Sequence, residues 1–257
     1  SSSSAASDVY KRQIENIYSG EIIQVVFSQR LSKKTKASAI EIYRCLRTIN
    51  PSPYMFLLNL DDFHILGASP ELLVKSFNKQ ISVHPIAGTR PRGSDSIEDE
   101  SIAEELINDE KELAEHLMLL DLGRNDVGRV SKPGSVSVNQ KMEIEKYSHI
   151  MHIVSNVTGE LKDDLDEFDV LRAAFPAGTV SGAPKVRAMQ LISDLEPEKR
   201  GPYSGGVGYF SYNGNMDTCI AIRTLVLKDS TVYIQAGGGL SLIHISEPTR
   251  RYAISYA

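Results

Sequence analysis

The chain has 257 residues, enough for one large domain or two small ones. Its 41% hydrophobic and 24% charged residues fit an ordinary globular protein, and its formal charge of -5 argues against nucleic acid or an anionic membrane as main partner. No apolar run approaches the ~20 residues of a membrane span. No basic-then-apolar signal segment opens the chain, and Cys45 and Cys219 stand far apart in structured-looking runs. The expected compartment is therefore the reducing cytoplasm.

In chain order, SSSSAAS carries no packing signal. DVYKRQ at 8–13 can be encoded as GAT GTG TAT AAG AGA CAG, whose reverse complement translates as LSLIHI. That hexapeptide stands at 240–245. Folding gives no reason for antisense ends, whereas a DNA element ligated to both ends of a fragment would. Residues 1–13 and 240–257 are therefore expected to be adaptor-derived tails, leaving 14–239 as one partial domain.

Residues 37–49 place Ile40, Tyr43, Leu46 and Ile49 three apart, which predicts a helix with that stripe buried. YMFLLNL, FHILGA, ELLVKSF and QISVHP follow as short runs separated by turn signals, predicting an antiparallel meander. Residues 95–122 predict one long helix with Ile102, Leu106, Leu113, Leu117 and Leu120 inward, ended by Gly123. Strands are expected on either side of KYSH within 136–161, and helices at 168–174 and 184–195. The last strands are expected at 204–212, 217–227 and 231–236. Consecutive strands with inserted helices indicate an α+β fold.

PIAGTRPRG at 85–93 combines glycines with two arginines, but its spacing fits neither nucleotide-binding glycine motif. A carboxylate or another dianion remains open as its ligand. Glu112 and Glu115 lie three apart on the long helix, so their carboxylates share a face. Such a pair suits Mg²⁺ held together with waters and a ligand, although it is more often a solvated face. Arg124, Asn125 and Asp126 are expected to form a capping network. GTVSGAPK precedes a helix start, where exposed N–H groups bind anions. Lys185 and Arg187 add positive charge there. His149 and His152, three apart on a strand, would face opposite sides and cannot chelate one metal. Tyr203, Gly205, Gly206 and Arg223 make a plausible carboxylate seat, and QAGGG at 235–239 allows a ligand close to the backbone. Together these suggest Mg²⁺-assisted work on a small polycarboxylate.

PIAGTRPRG, DEKELAEHLMLLDLGRND, YSHIMHIVSNVTGEL, FPAGTVSGAPKVRAM, RGPYSGGVGYF and CIAIRT resemble the chorismate-utilising enzymes, most closely the anthranilate synthase large subunits. The resemblance covers residues 14–239 and implies antiparallel β-sheets packed in a sandwich with flanking helices, truncated at both ends. It implies that Glu115, with Glu112 beside it, holds Mg²⁺, that Glu71 is an acid and that His152 is at the catalytic centre. Substrate contacts are implied at Gly88, Thr89, Thr179, Tyr203, Arg223, Gly237 and Gly239, and a feedback tryptophan site at Asn50, Pro51, Ser52, Pro53, Tyr54 and Met55.

The implied substrates are chorismate and ammonia, the latter from a glutamine amidotransferase partner. Ala87 stands where aminodeoxychorismate synthases, the nearest alternative, often carry a nucleophilic lysine. The change to LSLIHISEPTR at Leu240 replaces a segment that in the family carries a second glutamate pair. Glu247 does not substitute for it. The chain by itself is therefore expected to be an inactive, ligand-binding piece, with an unpaired sheet edge along 231–236.

Overall fold

Gln24–Lys34 forms the first strand, β1, in the computed structural model, which describes residues 15–147 and 149–241. The sequence reading passed over this strand. The expected tails lie outside the described residues, apart from Leu240 and Ser241. Ala39–Ile49 follows as helix α1, opened by a capping box between Ser38 and Glu41. Its buried side is Ala39 with the half-buried Ile42 and Tyr43, packed on Leu66 and Leu227. Ile40 and Ile49, expected inside, are exposed. Each three-residue step falls about 60° short of a full turn, so a strict three-residue stripe rotates off one face.

The chain divides into two units, the first comprising the described parts of Ser1–Glu71, Pro176–Val207 and Cys219–Ala257. Its sheet contains β1, β2 (Tyr54–Asn59), β3 (His64–Ser69), β9 (Gly182–Ala183), β12 (Thr224–Lys228) and β13 (Thr231–Ser241), in the order β2-β3-β12-β13-β1-β9. β13 is not the unpaired edge expected of it: β1 pairs along its whole length and β12 pairs with Thr231–Ile234. Helix α5 (Lys185–Leu195) lays Ala188, Leu191 and Ile192 on Ile22 and Val25.

The second unit is Leu72–Phe175 with Gly208–Thr218. Its strands include β4 (Leu72–Phe77), β5 (Gln80–Val83), β6 (Ile86–Pro91), β7 (Ser137–Lys146) and β8 (Ile150–Glu160). They join β10 (Gly206–Phe210) and β11 (Met216–Ile220) in the order β10-β11-β4-β5-β8-β6, with β7 on β8. The expected meander is thus two hairpins, β2-β3 and β4-β5, assigned to different sheets. The expected strand at 217–227 is likewise two, β11 and β12, separated by Ala221–Ile222–Arg223. Both expectations failed for one reason: local alternation does not say which partner a strand takes. Where registers are described the pairing is antiparallel, so the α+β expectation holds.

The single helix expected over 95–122 is two, α2 (Ser96–Asn108) and α3 (Glu110–Val130). Asp109 breaks it by accepting hydrogen bonds from the N–H groups of Lys111 and Glu112, which starts a new helix. Gly123 does not end the second helix. A Cβ there would lie 3.1 Å from Val83 and 3.2 Å from Pro85, so the glycine lets helix and strand approach closely. Arg124, Asn125 and Asp126 are consequently helix interior rather than a cap network, and Arg124 pairs with Asp121. Leu117 is exposed, and the buried stripe runs through His116, Leu119, Leu120, Gly123, Val127 and Val130. The remaining helix, α4, is Glu167–Ala174. Among the described residues no helix is long and apolar enough to cross a membrane.

Candidate active site

Glu71 follows the Ser69 turn between β3 and β4, its backbone carbonyl accepting a hydrogen bond from the Ile220 N–H. The Thr179 hydroxyl donates to its carboxylate at 2.8 Å. Burial pushes the Glu71 carboxyl up to about 7, against the opposing pull of the Thr179 hydrogen bond and the Arg223 charge. Burial lowers the pKa of Arg223 in turn, while Glu71 acts to raise it. Arg223 adopts a left-handed backbone (φ 48°) at the break between β11 and β12, where its carbonyl accepts from the Ala68 N–H. Strained backbone of this kind collects at functional sites.

Tyr203 is buried, and burial, with Glu196 acting the same way and Arg200 opposing, raises its hydroxyl to about 12. A Cβ on Gly237 would lie 2.4 Å from that hydroxyl, and one on Gly239 would lie 3.0 Å from Nε2 of Gln24. The two glycines, two apart on β13, therefore share a face on which these side chains lie against bare backbone. Gln24 escaped the sequence reading along with β1; its signal was the apolar run VVF that follows it.

The loop expected to hold an anion is largely occupied by its own chain. The Ser181 hydroxyl donates to the Ala177 carbonyl, Gly182 packs against the Gln24 backbone in the β1-β9 pairing, and Arg187 pairs with Glu21. Lys185 is buried.

In the second unit the opening turn shows what its glycine and arginines do. Gly88 has φ 69° at an irregularity in the β6-β8 register, between Ala87↔Ile153 and Thr89↔His152. Nδ1 of His152 lies 2.9 Å from the Gly88 carbonyl and 3.1 Å from the Thr89 hydroxyl. A carbonyl only accepts, so Nδ1 carries the proton and Nε2 is the basic atom of the neutral ring. The Tyr147 ring packs edge-on against this imidazole, with centroids 5.7 Å apart. His149 precedes the strand and offers its backbone carbonyl to the Arg92 N–H.

Both arginines of the turn hold protein carboxylates. Arg90 bonds Glu112 at 3.0 Å and Asp109 at 2.8 Å, and Arg92 grips Asp99 in a bidentate pair. Glu115 stands one turn along α3 from Glu112. Among the described residues no group of three or more His, Cys, Asp or Glu is placed to hold a metal. Two carboxylates on one helix face still match an ion that keeps several waters and takes oxygens from its substrate. His116, which sequence reading missed, is fully buried with Nε2 2.7 Å from the Ser155 hydroxyl. Burial lowers its pKa to about 4 and keeps it neutral.

Asn50 closes α1, the Ser52 hydroxyl points to the Asn50 carbonyl, and Tyr54 and Met55 open β2, an edge strand of the first sheet. Ala87 is buried in β6.

The model for the chorismate binding enzyme family matches residues 3–253. The chain is 58% identical over 226 residues to anthranilate synthase component 1 of Pseudomonas putida, covering 88% of this chain and 46% of the relative. It is 55% identical over 240 residues to that of Acetivibrio thermocellus, covering 93% of this chain and 48% of the relative. Among solved structures it matches anthranilate synthase component I from Streptococcus pneumoniae TIGR4 with a TM-score of 0.84 and 45% identity. That match covers 91% of this chain and 52% of the other. The chain thus spans about half the length of the curated relatives it matches. On this match the chain belongs to the chorismate binding enzyme family.

Proposed function

We propose that the chain is the chorismate-binding part, residues 14–239, of an anthranilate synthase large subunit acting in the cytoplasm. The reaction joins chorismate and ammonia to give anthranilate and pyruvate in tryptophan biosynthesis. The observation that carries this reading is Glu71: a carboxyl at about 7, hydrogen-bonded by Thr179 and close enough to Arg223 to feel its charge. Such a group holds a proton at neutral pH beside a cation suited to an anionic substrate.

As ammonia forms the bond at C2, the double bonds shift and the C4 hydroxyl leaves as water with the Glu71 proton. His152, its Nδ1 held by Gly88, presents Nε2 as base for the C2 proton, and loss of pyruvate completes the aromatic ring. Tyr203, Arg223, Gly237 and Gly239 with Thr179, and Gly88 with Thr89, contact the substrate. Glu115 would hold Mg²⁺ with Glu112 beside it, and the ion would polarise the ring carboxylate as a Lewis acid. Arg90 fixes the Glu112 carboxylate for that role.

Asn50, Pro51, Ser52, Pro53, Tyr54 and Met55 line the tryptophan feedback site, and a glutamine amidotransferase subunit supplies ammonia. Ala87 favours this product over 4-amino-4-deoxychorismate because alanine offers no nucleophile to the ring.

The test is to extend the chain with the flanking parts of the Pseudomonas putida relative and supply chorismate, ammonium and Mg²⁺. Anthranilate fluorescence is the expected result, and 4-amino-4-deoxychorismate as main product would overturn the reading. In the same extended chain, Glu115→Ala should lose Mg²⁺-dependent turnover and measurable Mg²⁺ binding by calorimetry. Cys45→Ala, at an exposed position on α1, should keep both. Wild-type Mg²⁺ affinity in Glu115→Ala would refute the ligand assignment.

A further inference from the structure

Arg200 and Glu196 form an ion pair whose side chains are only 13% and 6% exposed. Neither was singled out in the sequence, and neither is assigned a role above. The guanidinium donates to Glu196 Oε1 at 2.6 Å, to the Val26 carbonyl at 2.6 Å and to the Val180 carbonyl at 2.6 Å. Glu196 Oε1 also accepts from the backbone N–H and hydroxyl of Ser28, both at 2.8 Å. Arg200 further lies 5.5 Å from the centroid of the Tyr203 ring.

One side chain thus reaches β1, the Gly178–Val180 turn and Tyr203 at once. The turn is weakly closed by its own backbone, with N–H to carbonyl distances of 3.3 Å for both Val180 to Ala177 and Ser181 to Gly178. The Ser181 hydroxyl adds a short bond to the Ala177 carbonyl at one end of the turn, and Arg200 supplies a donor from outside at its last residue. Thr179, at the middle of that turn, holds Glu71. A buried ion pair contributes little net stability compared with apolar residues of similar size. Reaching two carbonyls on separate segments is what an apolar pair could not reproduce.

We propose that Arg200, braced by Glu196, is a positioning residue that sets the Thr179 turn and the Tyr203 ring for substrate. It acts through Thr179 and Tyr203 and does not touch the substrate. The proposal rests on the functional reading above for the identity of the ligand, but not for the ordering of the turn. Lysine cannot replace it, because a single ammonium cannot reach Glu196, Val26 and Val180 together.

The experiment compares the wild-type 257-residue chain with Arg200→Lys and with the double variant Glu196→Met/Arg200→Met. Amide hydrogen exchange without ligand reports the turn, and calorimetry with chorismate reports its use. In Arg200→Lys, exchange across 178–181 and at 203–205 should rise about tenfold while that of α1 stays near wild type. The chorismate Kd should rise about tenfold with Tm little changed. The double variant should fold and show the same two losses, which separates positioning from stability. Unchanged exchange in the turn, or a wild-type Kd in the double variant, would overturn the proposal. Should the wild-type chain bind no chorismate, the functional reading falls, and the exchange result alone decides the role of Arg200.

Discussion

Glu71→Gln is expected to leave the extended chain folded and more stable above neutral pH, yet at least ~10³-fold slower in turnover. Glutamine keeps the size of the side chain and an oxygen that can accept from Thr179, but it has no proton to give. The folded pKa of Glu71 is raised from 4.5 to about 7, chiefly by burial. Between those values the native state binds more protons than the unfolded state, so wild-type stability falls as pH rises through that window. Above it the buried carboxylate costs up to about 3 kcal/mol, a cost that glutamine avoids. Denaturant titrations should therefore coincide near pH 4 and separate progressively to pH 8, with the variant the more stable. The wild-type rate should decline above pH 7 as Glu71 loses its proton. Parallel stability profiles at both ends of that range would show that Glu71 is not buried as an acid, whatever its rate.

Gly88→Ala should carry the next largest effect, and it acts through His152. A non-glycine residue at φ 69° costs about 1–2 kcal/mol. The added Cβ would also lie 3.1 Å from Leu106 and 3.2 Å from Ile153, both in the packed core of that unit. Relaxing the irregularity to relieve this turns the Gly88 carbonyl away from Nδ1 of His152 and frees the tautomer. The expected outcome is a loss of roughly 1–3 kcal/mol in stability. A fall in kcat of about 10² should accompany it, with a smaller change in KM. Imidazole ¹⁵N shifts read the tautomer directly. A variant that keeps the wild-type nitrogen pattern but loses kcat would remove the Gly88 carbonyl from the account of His152.

How much of this was legible in the sequence depended on whether the signal was local. The strands flanking KYSH, the helix at 167–174 and the helix after GTVSGAPK could be read because propensity and periodicity act over a few residues. The motifs could be ordered into a family for the same reason, since each is a short stretch whose residue types stand close together. Sequence also pointed to Arg223 as part of a carboxylate seat and to the loop that carries Thr179, whereas Glu71 was named only through that resemblance.

Their meeting was a matter of tertiary structure. Thr179 lies 108 residues from Glu71, and no local rule places its hydroxyl on that carboxylate. The same holds for β1, whose eleven-residue pairing with β13 closes a loop of some two hundred residues. Asp109 and Gly123 show the converse failure. Asp109 followed its preference for a helix start where continuation was expected, whereas Gly123 continued a helix where a stop was expected. Asp109 could do so because it caps the next turn and binds Arg90, and Gly123 sits where an added Cβ would lie only 3.1 Å from Val83 and 3.2 Å from Pro85. Local sequence limited which elements could form. Which strands paired, which carboxyl was buried and which glycine touched a neighbour were decided by contacts between distant segments, whose free energy outweighs the ~1 kcal/mol preferences of single residues.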